Sequence, residues 1–396
     1  MLILSCLSMA TAAPTTMGAF TVSGGRQEYS PSFPTPAIGS LHTRYTDLPA
    51  SSTCEVLVKV YASSVNPSDV SPTIAQYPKV LGSDVSGVVD SIGTGCTVLK
   101  VGDAVWGDIG ANTKSASTKA KTKELGGYGE YVVALESQLG LKPSNVGFIE
   151  IGSMPKVALT SYKALAWYAG GTTHTTCMPA ISIALTHPSV LSLFSSFVQA
   201  ALNDTLWQKD PKVLILGGSG GCGTMGIQLA KAFGSAGTNV TTTTSADNFA
   251  YCKSLGADSL IDYKTTNWWD VIPDASFDVI YDTVGQDHTG DYAMKALKVG
   301  GYYVTITGQT AYPGKAKPGV HQAFFINSDT NLANTKELDA LSALVAADKL
   351  RMPHIDGIFA LADVAAAFKV SEGGQVKGKL SISVFNATAV APAVGL

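Results

Sequence analysis

Short apolar runs separated by helix-length segments dominate the chain after about residue 160. The runs are Val213 to Leu216, Val240 to Thr244, Ser259 to Ile261, Val279 to Tyr281 and Tyr302 to Ile306. Strands that are buried on both faces are continuously apolar, whereas strands with one wet face alternate between apolar and polar residues. The pattern therefore predicts an α/β fold with a doubly wound parallel sheet in this part of the chain.

The first 160 residues have a different pattern, in which β-branched runs are broken by Gly and Pro. Val56 to Val60 and Val85 to Ile92 are such runs, and together they predict an irregular β-rich domain with few helices. Near the end of the chain, Leu361 to Phe368 predicts a helix and Lys379 to Val384 predicts a strand that rejoins the first domain. The parallel-sheet domain would then be inserted into the β-rich one.

Two stretches do not fit a compact plan. Asn112 to Lys123 is rich in Lys, Ser, Thr and Ala, which predicts a surface loop, and Ala164 to Asn203 contains no charged residue. The centre of the second stretch, Ala180 to Leu202, is long enough to cross a bilayer. Its histidine, proline, glutamine and serines lower its hydrophobicity well below that of a typical spanning helix, so a membrane span is disfavoured. An amphipathic insertion between domains and a translated intron are the alternatives.

Length and charge narrow the class of protein. A chain of 396 residues is long enough for two domains, each with its own core, and two domains leave a cleft between them. Lys plus Arg number 27 and Asp plus Glu number 30, and no basic run stands out beyond the loop at Asn112 to Lys123. Nucleic acid is therefore excluded as an expected partner.

The six cysteines are scattered, with neither a CxxC pair nor a histidine close by in sequence. Their spacing suggests neither a disulfide framework nor a zinc cluster, so a reducing, cytoplasmic location is expected. The N-terminus opens an alternative, because the apolar run Leu2 to Met9 followed by Ala10 to Ala13 is similar to a signal-peptide core and cleavage site. No Lys or Arg precedes Arg26, so a transit peptide to an organelle or a true start at Met17 is equally consistent with the residues.

A glycine loop follows the first strand of the parallel sheet. Val213 to Leu216 leads directly into Gly217-Gly218-Ser219-Gly220-Gly221-Cys222-Gly223, and the helix-like segment Thr224 to Phe233 follows at once. Glycines permit a tight turn with positive φ and let the backbone come close to a pyrophosphate, which N–H groups at the helix N-terminus then bind. The order of strand, loop and helix makes this a strong signal for a dinucleotide.

The end of the second strand bears on which dinucleotide binds. Enzymes that use NAD place an acid there to bind both ribose hydroxyls, whereas this chain has Thr242-Thr243-Thr244-Ser245. Hydroxyl groups donate to a 2′-phosphate and do not repel it, so NADPH is favoured over NADH. Asp247 lies slightly beyond the strand end and is the alternative ribose ligand, which would favour NADH.

Several motifs together resemble those of the medium-chain dehydrogenase/reductase superfamily, in the zinc-free quinone oxidoreductase and enoyl reductase-like branch. They are Ala62 to Asp69, Leu81 to Val89, Gly102 to Gly107, Gly126 to Tyr131, Ala158 to Tyr162, Leu255 to Asp258, Asp282 to Gly285 and Gly378-Lys379. The resemblance implies a GroES-like β-rich domain and a Rossmann domain. It covers nearly the whole chain apart from the leader, the uncharged insertion and the C-terminal tail.

The resemblance also bears on a metal site. Zinc alcohol dehydrogenases of this family hold a catalytic metal with a Cys, a His-Glu pair and a second Cys, and the matching positions here carry Asn66, Ser83-Asp84 and Lys156. These residues offer neither a thiolate nor an imidazole, so no zinc is expected. The family's four-cysteine structural zinc lobe is missing as well, because no cysteine lies between Cys96 and Cys177.

The resemblance implies that a hydride from NADPH reduces a quinone or the C=C bond of an α,β-unsaturated carbonyl compound. Asn66 and Tyr77 match positions that face nicotinamide and substrate, and both can donate a hydrogen bond to a developing enolate. Their structural alternatives are a cap of the Asn-Pro turn for Asn66 and a half-buried wall residue for Tyr77. The implied cofactor-binding residues are Thr160, Gly218, Ser219, Gly220, Gly221, Gly223, Thr244, Ser245, Tyr263, Gly308 and Lys379.

Three neighbouring residues receive other interpretations. Asn248 stands where the family often has a basic residue, which weakens the expected contact with a 2′-phosphate. Cys222 replaces the usual Val of the loop and is expected to pack as a small apolar group, and Asp69 is expected to be a structural turn residue.

The sequence predicts the following division of the chain. Residues 1–17 are a leader or a misplaced start, 18–160 and 325–385 form the GroES-like domain, 161–324 form the Rossmann domain with an insertion at about 172–208, and 386–396 are a tail. The expected partner is a small-molecule enone or quinone, and a homodimer is expected. Two other functions remain open: a stand-alone enoyl reductase serving a polyketide or fatty-acid synthase, and a cofactor-binding scaffold without turnover.

Overall fold

The computed structural model describes residues 12–23, 26–39, 54–70, 79–110, 126–169, 210–325 and 335–385. Several predictions fall outside these residues: Tyr77, the loop at 112–123, the insertion at 172–208, the tail at 386–396 and most of the leader. No helix within the described ranges is both long and apolar enough to cross a membrane. The segment 180–202 lies outside those ranges.

In the parallel-sheet region, from residue 212 onward, strands and helices alternate as the sequence pattern predicts. The strands are β1 (Thr16–Ser23), β2 (Arg26–Pro34), β3 (Glu55–Ser64), β4 (Lys79–Val80), β5 (Asp84–Ile92), β6 (Ala104–Asp108), β7 (Tyr131–Leu135), β8 (Gly140–Leu141), β9 (Lys212–Leu216), β10 (Asn239–Thr244), β11 (Ser259–Asp262), β12 (Phe277–Asp282), β13 (Leu297–Thr305), β14 (His321–Phe324), β15 (Ile355–Ala360) and β16 (Lys379–Ser383). The helices are α1 (Pro67–Val70), α2 (Phe148–Gly152), α3 (Pro155–Tyr162), α4 (Gly221–Phe233), α5 (Phe249–Ser254), α6 (Trp268–Val271), α7 (Thr289–Ala296), α8 (Thr335–Ala346) and α9 (Val364–Glu372).

Strands β9 to β14 form a parallel sheet of six strands in the order β11-β10-β9-β12-β13-β14. This is the Rossmann order, in which the chain direction across the sheet reverses between the first and fourth strands. Ligands bind outside the carboxyl ends of the strands at that switch point, which here lies between β9 and β12. The predicted doubly wound parallel sheet is thus confirmed. Its topology indicates that a ligand would bind at the carboxyl end of β9.

The first domain contains a seven-stranded sheet built around β3, with the order β15-β16-β3-β5-β6-β8 and β7 paired with β3. β3 is almost wholly buried, because β5 and β7 pair with it and its apolar side chains enter one core with those of β1 and α9. The late strand β16 pairs antiparallel with β3, with Ser381 opposite Ser64. The chain therefore returns to its first sheet after the parallel sheet is complete.

Cys54 and Cys96 form a disulfide whose Cα atoms are 5.0 Å apart. The interpretation that the cysteine spacing suggests no disulfide is wrong for this pair, which is separated by 42 residues. Antiparallel pairing of β3 with β5 places Val56 opposite Ile92, so the start of β3 lies beside the loop that follows β5. The pairing of β3 with β5 brings the two cysteines together. Their spacing in the sequence does not show this proximity.

Candidate active site

The glycine loop joins β9 to α4 and contains glycines with two different roles. Gly217 has φ +84°, and it is the one residue of the loop with the positive φ that the sequence led us to expect more widely. Gly218 and Gly223 are needed for close packing: a Cβ would clash with the Thr242 side chain at the first position and with the Gly217 carbonyl at the second. These contacts hold the N-terminus of α4 against the sheet.

Gly220 and Gly221 instead line an open cavity. A Cβ on Gly221 would lie 2.8 Å from Val157 Cγ1 and 3.0 Å from Lys379 Cδ, so any side chain there would fill the space in front of α4. α4 is 13 residues long, and the first N–H groups of a helix have no partner within it. A backbone cradle at the positive end of a helix fits the pyrophosphate of a dinucleotide.

The cavity has a volume of about 510 Å³ and lies between the glycine loop and the first domain. It brings together five of the predicted residues: Asn66, Thr160, Gly220, Gly221 and Lys379. Its apolar walls include Val65, Val157, Ile306, Phe325 and Leu380. Ser219 is not one of the lining residues, and its carbonyl oxygen accepts a hydrogen bond from the Gly378 N–H at 2.8 Å.

Asn66 and Lys379 form the floor of the cavity, and Asn66 is hydrogen-bonded to the buried Asp84 beneath it. Lys379 Nζ donates to Asn66 Oδ1 at 2.6 Å and to the Val65 carbonyl at 2.7 Å. Asn66 Nδ2 donates to Asp84 Oδ2 at 2.8 Å. The amide of Asn66 therefore does not cap its own turn, and whether it contacts a substrate stays a prediction.

Asp84 and Lys156 occupy two of the positions that match metal ligands in the family. Asp84 also accepts from Ser64 Oγ at 2.6 Å and from the Lys156 backbone N–H at 2.7 Å. Lys156 Nζ donates to Asp108 Oδ2 at 2.9 Å. Burial disfavours the ammonium, but Asp108 and Asp84 together hold the pKa of Lys156 above its usual value.

Asp69 supports the turn that presents Asn66. Its carboxylate accepts from the Asn66 backbone N–H at 3.0 Å and from Tyr128 Oη at 2.7 Å, which agrees with its interpretation as a structural turn residue. Burial raises the pKa of Asp69 to about 6, although the hydrogen bond from Tyr128 opposes that shift. Asp69 thus titrates close to neutral pH.

A second group of predicted residues lies at the carboxyl ends of the parallel strands. Thr244 pairs with Asp262 of the parallel neighbour β11, so Ser245 and Tyr263 leave the sheet at the same edge. Ser245 Oγ accepts from Asn248 Nδ2 at 3.2 Å, and the Tyr263 side chain is 47% exposed. Gly308, with φ +85°, follows β13 at the same edge of the sheet.

Lys264 is a residue at this edge that the sequence analysis missed. Its Nζ lies 3.8 Å from Asp247 Oδ2, so a basic group lies at this edge although Asn248 itself is not basic. The sequence could have predicted this position of Lys264. The residue directly follows the predicted Tyr263, and the carboxyl ends of parallel strands lie at the same edge of the sheet. Asp247, the alternative ribose ligand, is exposed and has Lys264 as its ion-pair partner.

Cys222 at the start of α4 contacts the cavity but is not suited to nucleophilic chemistry. Burial raises the pKa of its thiol to about 11, against the opposing effect of Lys379. A thiol with a raised pKa is inert, since the thiolate is the reactive form. The expectation that Cys222 packs as a small apolar group is therefore supported.

Among the described residues, one group of three potential metal ligands is close enough to share an ion: Cys54, Cys96 and Glu136. The two thiols are joined in the disulfide, and the Glu136 carboxylate accepts from the backbone N–H groups of Thr97, Val98 and Leu99. None of these three residues lines the cavity, and their sulfur and oxygen atoms already have partners in the protein.

Comparisons with known proteins agree with this geometry. A family model described as an alcohol dehydrogenase GroES-like domain matches residues 52–144, and one described as a zinc-binding dehydrogenase matches residues 255–381. The 2-methylene-furan-3-one reductase of Solanum lycopersicum is 33% identical over 338 residues, which cover 83% of this chain and 71% of that protein.

Two further matches agree with these. The NADPH-dependent alkenal/one oxidoreductase of Arabidopsis thaliana, a chloroplastic protein, is 29% identical over 337 residues, covering 83% of this chain and 72% of that one. The solved quinone oxidoreductase of Coxiella burnetii superposes with a TM-score of 0.66 at 26% identity, covering 93% of this chain and 99% of that one. The chain therefore belongs to the medium-chain dehydrogenase/reductase superfamily, in its quinone oxidoreductase and enoyl reductase-like branch, and is an oxidoreductase with a nicotinamide cofactor.

Proposed function

We propose that this protein uses NADPH to reduce a quinone or the C=C bond of an α,β-unsaturated carbonyl compound, without a catalytic metal. The observation that carries the proposal is the cavity floor. Asn66, Asp84 and Lys156 stand at the positions of the family's metal ligands, and they form hydrogen bonds with Lys379, Ser64 and Asp108. An ammonium and an amide do not bind zinc, so the substrate must already be electrophilic.

The preference for NADPH is supported by the residues at the end of β10. Ser245 and Tyr263 offer hydroxyl groups, and Lys264 adds a cation at the same edge. A 2′-phosphate accepts hydrogen bonds from all three kinds of group, and a cation strengthens the interaction. Asp247 alone would disfavour a phosphate, but its charge is partly offset by Lys264 at 3.8 Å.

The protein's own part in the reaction is to orient the reactants and exclude water. When bound, the cofactor supplies a hydride, which an enone accepts at its β-carbon without prior activation by a metal. Val157 and Phe325 give the cavity apolar walls, which exclude water and strengthen each electrostatic contact inside. Gly220 and Gly221 allow the pyrophosphate to approach the start of α4 and so fix the position of the nicotinamide.

A substrate panel tests the proposal directly. Purified protein is mixed with NADPH and with a series of small enones and quinones, and the absorbance of the reduced nicotinamide is followed. We expect oxidation of NADPH that depends on the substrate and is unchanged by a metal chelator. NADPH binding without turnover on the whole panel would favour the scaffold function instead, and one tightly held zinc per chain in elemental analysis would contradict the metal-free mechanism.

Gly221→Val tests whether NADPH binds in front of α4. Its side chain would occupy the space between Val157 and Lys379, so the apparent affinity for NADPH should collapse and activity with it. The reason is steric, because Gly221 has no positive φ. Unchanged affinity in this variant would mean that the cofactor lies elsewhere.

A further inference from the structure

Both polar ends of the Asn66 side chain are engaged in the buried network below the cavity. Asn66 is 1% exposed, and the acceptors within reach of its Nδ2 are Asp84 at 2.8 Å, Ser83 Oγ at 3.4 Å, and Asp69 and the Ser64 carbonyl at 3.5 Å. All four lie within the protein. The amide oxygen accepts from Lys379. Both N–H groups of the Asn66 amide therefore have acceptors within the protein, the short one being Asp84.

Lys379 is placed differently. Its side chain lines the cavity, with Cδ next to Gly221, and its ammonium lies at the floor. An ammonium has three N–H donors, and hydrogen bonds to Val65 and Asn66 use two of them. Among the described residues the remaining nearby acceptor is Asp84 Oδ2 at 3.6 Å, which is beyond hydrogen-bond distance. One N–H of Lys379 is thus available to a ligand.

The two lysines at the floor differ in their distance to a carboxylate: Lys156 has one at hydrogen-bond distance, whereas Lys379 lies 3.6 Å from Asp84. Lys156 donates directly to Asp108 at 2.9 Å, so its charge is paired at contact distance. Asp84 is hydrogen-bonded by Ser64, Asn66 and the Lys156 backbone, which spreads its negative charge over three donors. Lys379 contacts only neutral oxygens within hydrogen-bond distance. The Lys379 ammonium therefore lies at the bottom of a largely apolar cavity, where the local dielectric constant is low and interactions between charges are strong.

We infer that Lys379 is the catalytic residue that donates a hydrogen bond to the substrate's carbonyl oxygen, and that Asn66 positions it. The inference rests on the proposed function. The hydride adds to the β-carbon, the electron pair of the C=C bond moves toward the carbonyl oxygen, and a solvent proton then adds to the α-carbon. Lys379 stabilises the negative charge on that oxygen in the transition state and is not consumed. The Lys379 ammonium, which is hydrogen-bonded to Asn66 at one of the metal-ligand positions, thus supplies a positive charge close to the carbonyl oxygen.

The pKa of a bound phenol reports the positive charge of Lys379 without any turnover. 4-Nitrophenol is titrated with pH in the presence of saturating NADP⁺, and its colour reports the pKa of the bound phenol. We expect wild-type protein to lower that pKa by about one unit or more, since a nearby cation favours the phenolate. Lys379→Gln and Lys379→Met should abolish the shift, and Lys369→Met, which changes an exposed lysine on α9, should keep it.

The kinetic test separates a catalytic role from a structural one. Lys379→Gln keeps a donor for Val65 and Asn66 but loses the charge, so we expect NADPH affinity, measured by cofactor fluorescence, to stay within about tenfold. On an enone the kcat should fall on the order of a hundred- to thousandfold, as for loss of an oxyanion donor. Asn66→Ala, which removes the positioning contact, should lower kcat by less.

The outcomes are distinguishable. Lys379→Gln with wild-type kcat, or a phenol shift that survives in both Lys379 variants, would overturn the inference. A collapse of NADPH affinity with unchanged kcat at saturation would assign Lys379 to the cofactor alone and would also overturn it. Loss of the phenol shift only in the Lys379 variants, together with no enone or quinone reduction by wild-type protein, would contradict the proposed function and leave the assigned cation in place.

Discussion

Lys264 lies beside Asp247 at the end of the strand pair β10 and β11, where the adenosine ribose of a dinucleotide would lie. A cation there favours a 2′-phosphate, so Lys264→Ala should weaken binding of NADPH about tenfold, the value of one hydrogen bond to a charged group. Binding of NADH should change little. Isothermal titration with both cofactors measures the difference.

The companion variant Asp247→Ala removes the opposing negative charge and should strengthen NADPH binding. Lys253→Ala, at an exposed lysine on α5, is the control. Equal losses for NADPH and NADH in Lys264→Ala would show that the lysine acts on the fold and not on the phosphate.

Asp69 makes the stability of the protein depend on pH. Its folded-state pKa of about 6 is raised above the ordinary value of 3.8, so the folded state binds the proton more tightly than the unfolded state. The stabilisation from this proton is complete below about pH 4 and is lost as the pH rises through 6. Relative to Asp69→Asn, the free energy of unfolding of the wild type should therefore fall by up to about 3 kcal/mol between about pH 4 and pH 7.

Urea unfolding at a series of pH values checks this expectation, with the curve of Asp69→Asn as reference. Asn keeps an acceptor for Tyr128 and for the Asn66 N–H. Parallel pH curves for the two proteins would show that Asp69 has an ordinary pKa in the folded state.

At the level of single residues, the sequence predicted several of the positions that line the cavity, and the roles of these residues stay predictions. Asn66, Thr160 and Lys379 line the cavity as expected. The hydrogen bond from Lys379 to Asn66 was not predictable, because it joins residues 313 positions apart that meet only when β16 returns to β3. The disulfide was not predictable either, because Cys54 and Cys96 meet only when β3 pairs with β5.

At the level of elements, the strands that are buried on both faces were predicted to within a few residues. β9, β10 and β12 are apolar or β-branched runs whose side chains are nearly all buried, so the pattern and the structure agree. The hairpin of β1 and β2 was missed. β2 is mostly exposed and has polar residues and prolines, so its sequence lacks the alternation that identifies a strand.

The disulfide ties the start of β3 to the loop after β5. Closing a loop of this length restricts the unfolded chain, so loss of the bond should cost roughly 2–4 kcal/mol. We expect Cys54→Ser and Cys96→Ser to lower the melting temperature equally and the double variant to lower it no further. A reductant should lower the melting temperature of the wild type but not of these variants.

Thiol titration of the unfolded, unreduced protein provides the check, with Cys252→Ser as the control at a free cysteine. Two additional reactive thiols in the wild type after unfolding without reductant would show that Cys54 and Cys96 are not bonded.

At the scale of the whole molecule, β14 ends the parallel sheet among the described residues. Phe324 on β14 is 47% exposed, and Val299 on the neighbouring β13 is 74% exposed. An open strand edge with exposed apolar side chains favours pairing with another chain. We therefore expect a homodimer, and sedimentation analysis of wild type and of Phe324→Glu should show a dimer and a shift toward monomer, respectively. A monomeric wild type at micromolar concentration would contradict this expectation.

Backbone pairing joins the returning segment before β16 to the glycine loop: Gly378 pairs with Gly220, and its N–H donates to the Ser219 carbonyl. Gly378 has φ +69° and leaves no room for a Cβ beside the His354 carbonyl, so the contact depends on glycine. A cofactor that orders the loop should slow amide hydrogen exchange at Gly378 and along β16. Thermodynamic reciprocity then requires that opening of this contact weaken cofactor binding by the same factor by which the bound cofactor disfavours the opening. Because Gly378 also lines the cavity, we expect Gly378→Ala to weaken cofactor binding.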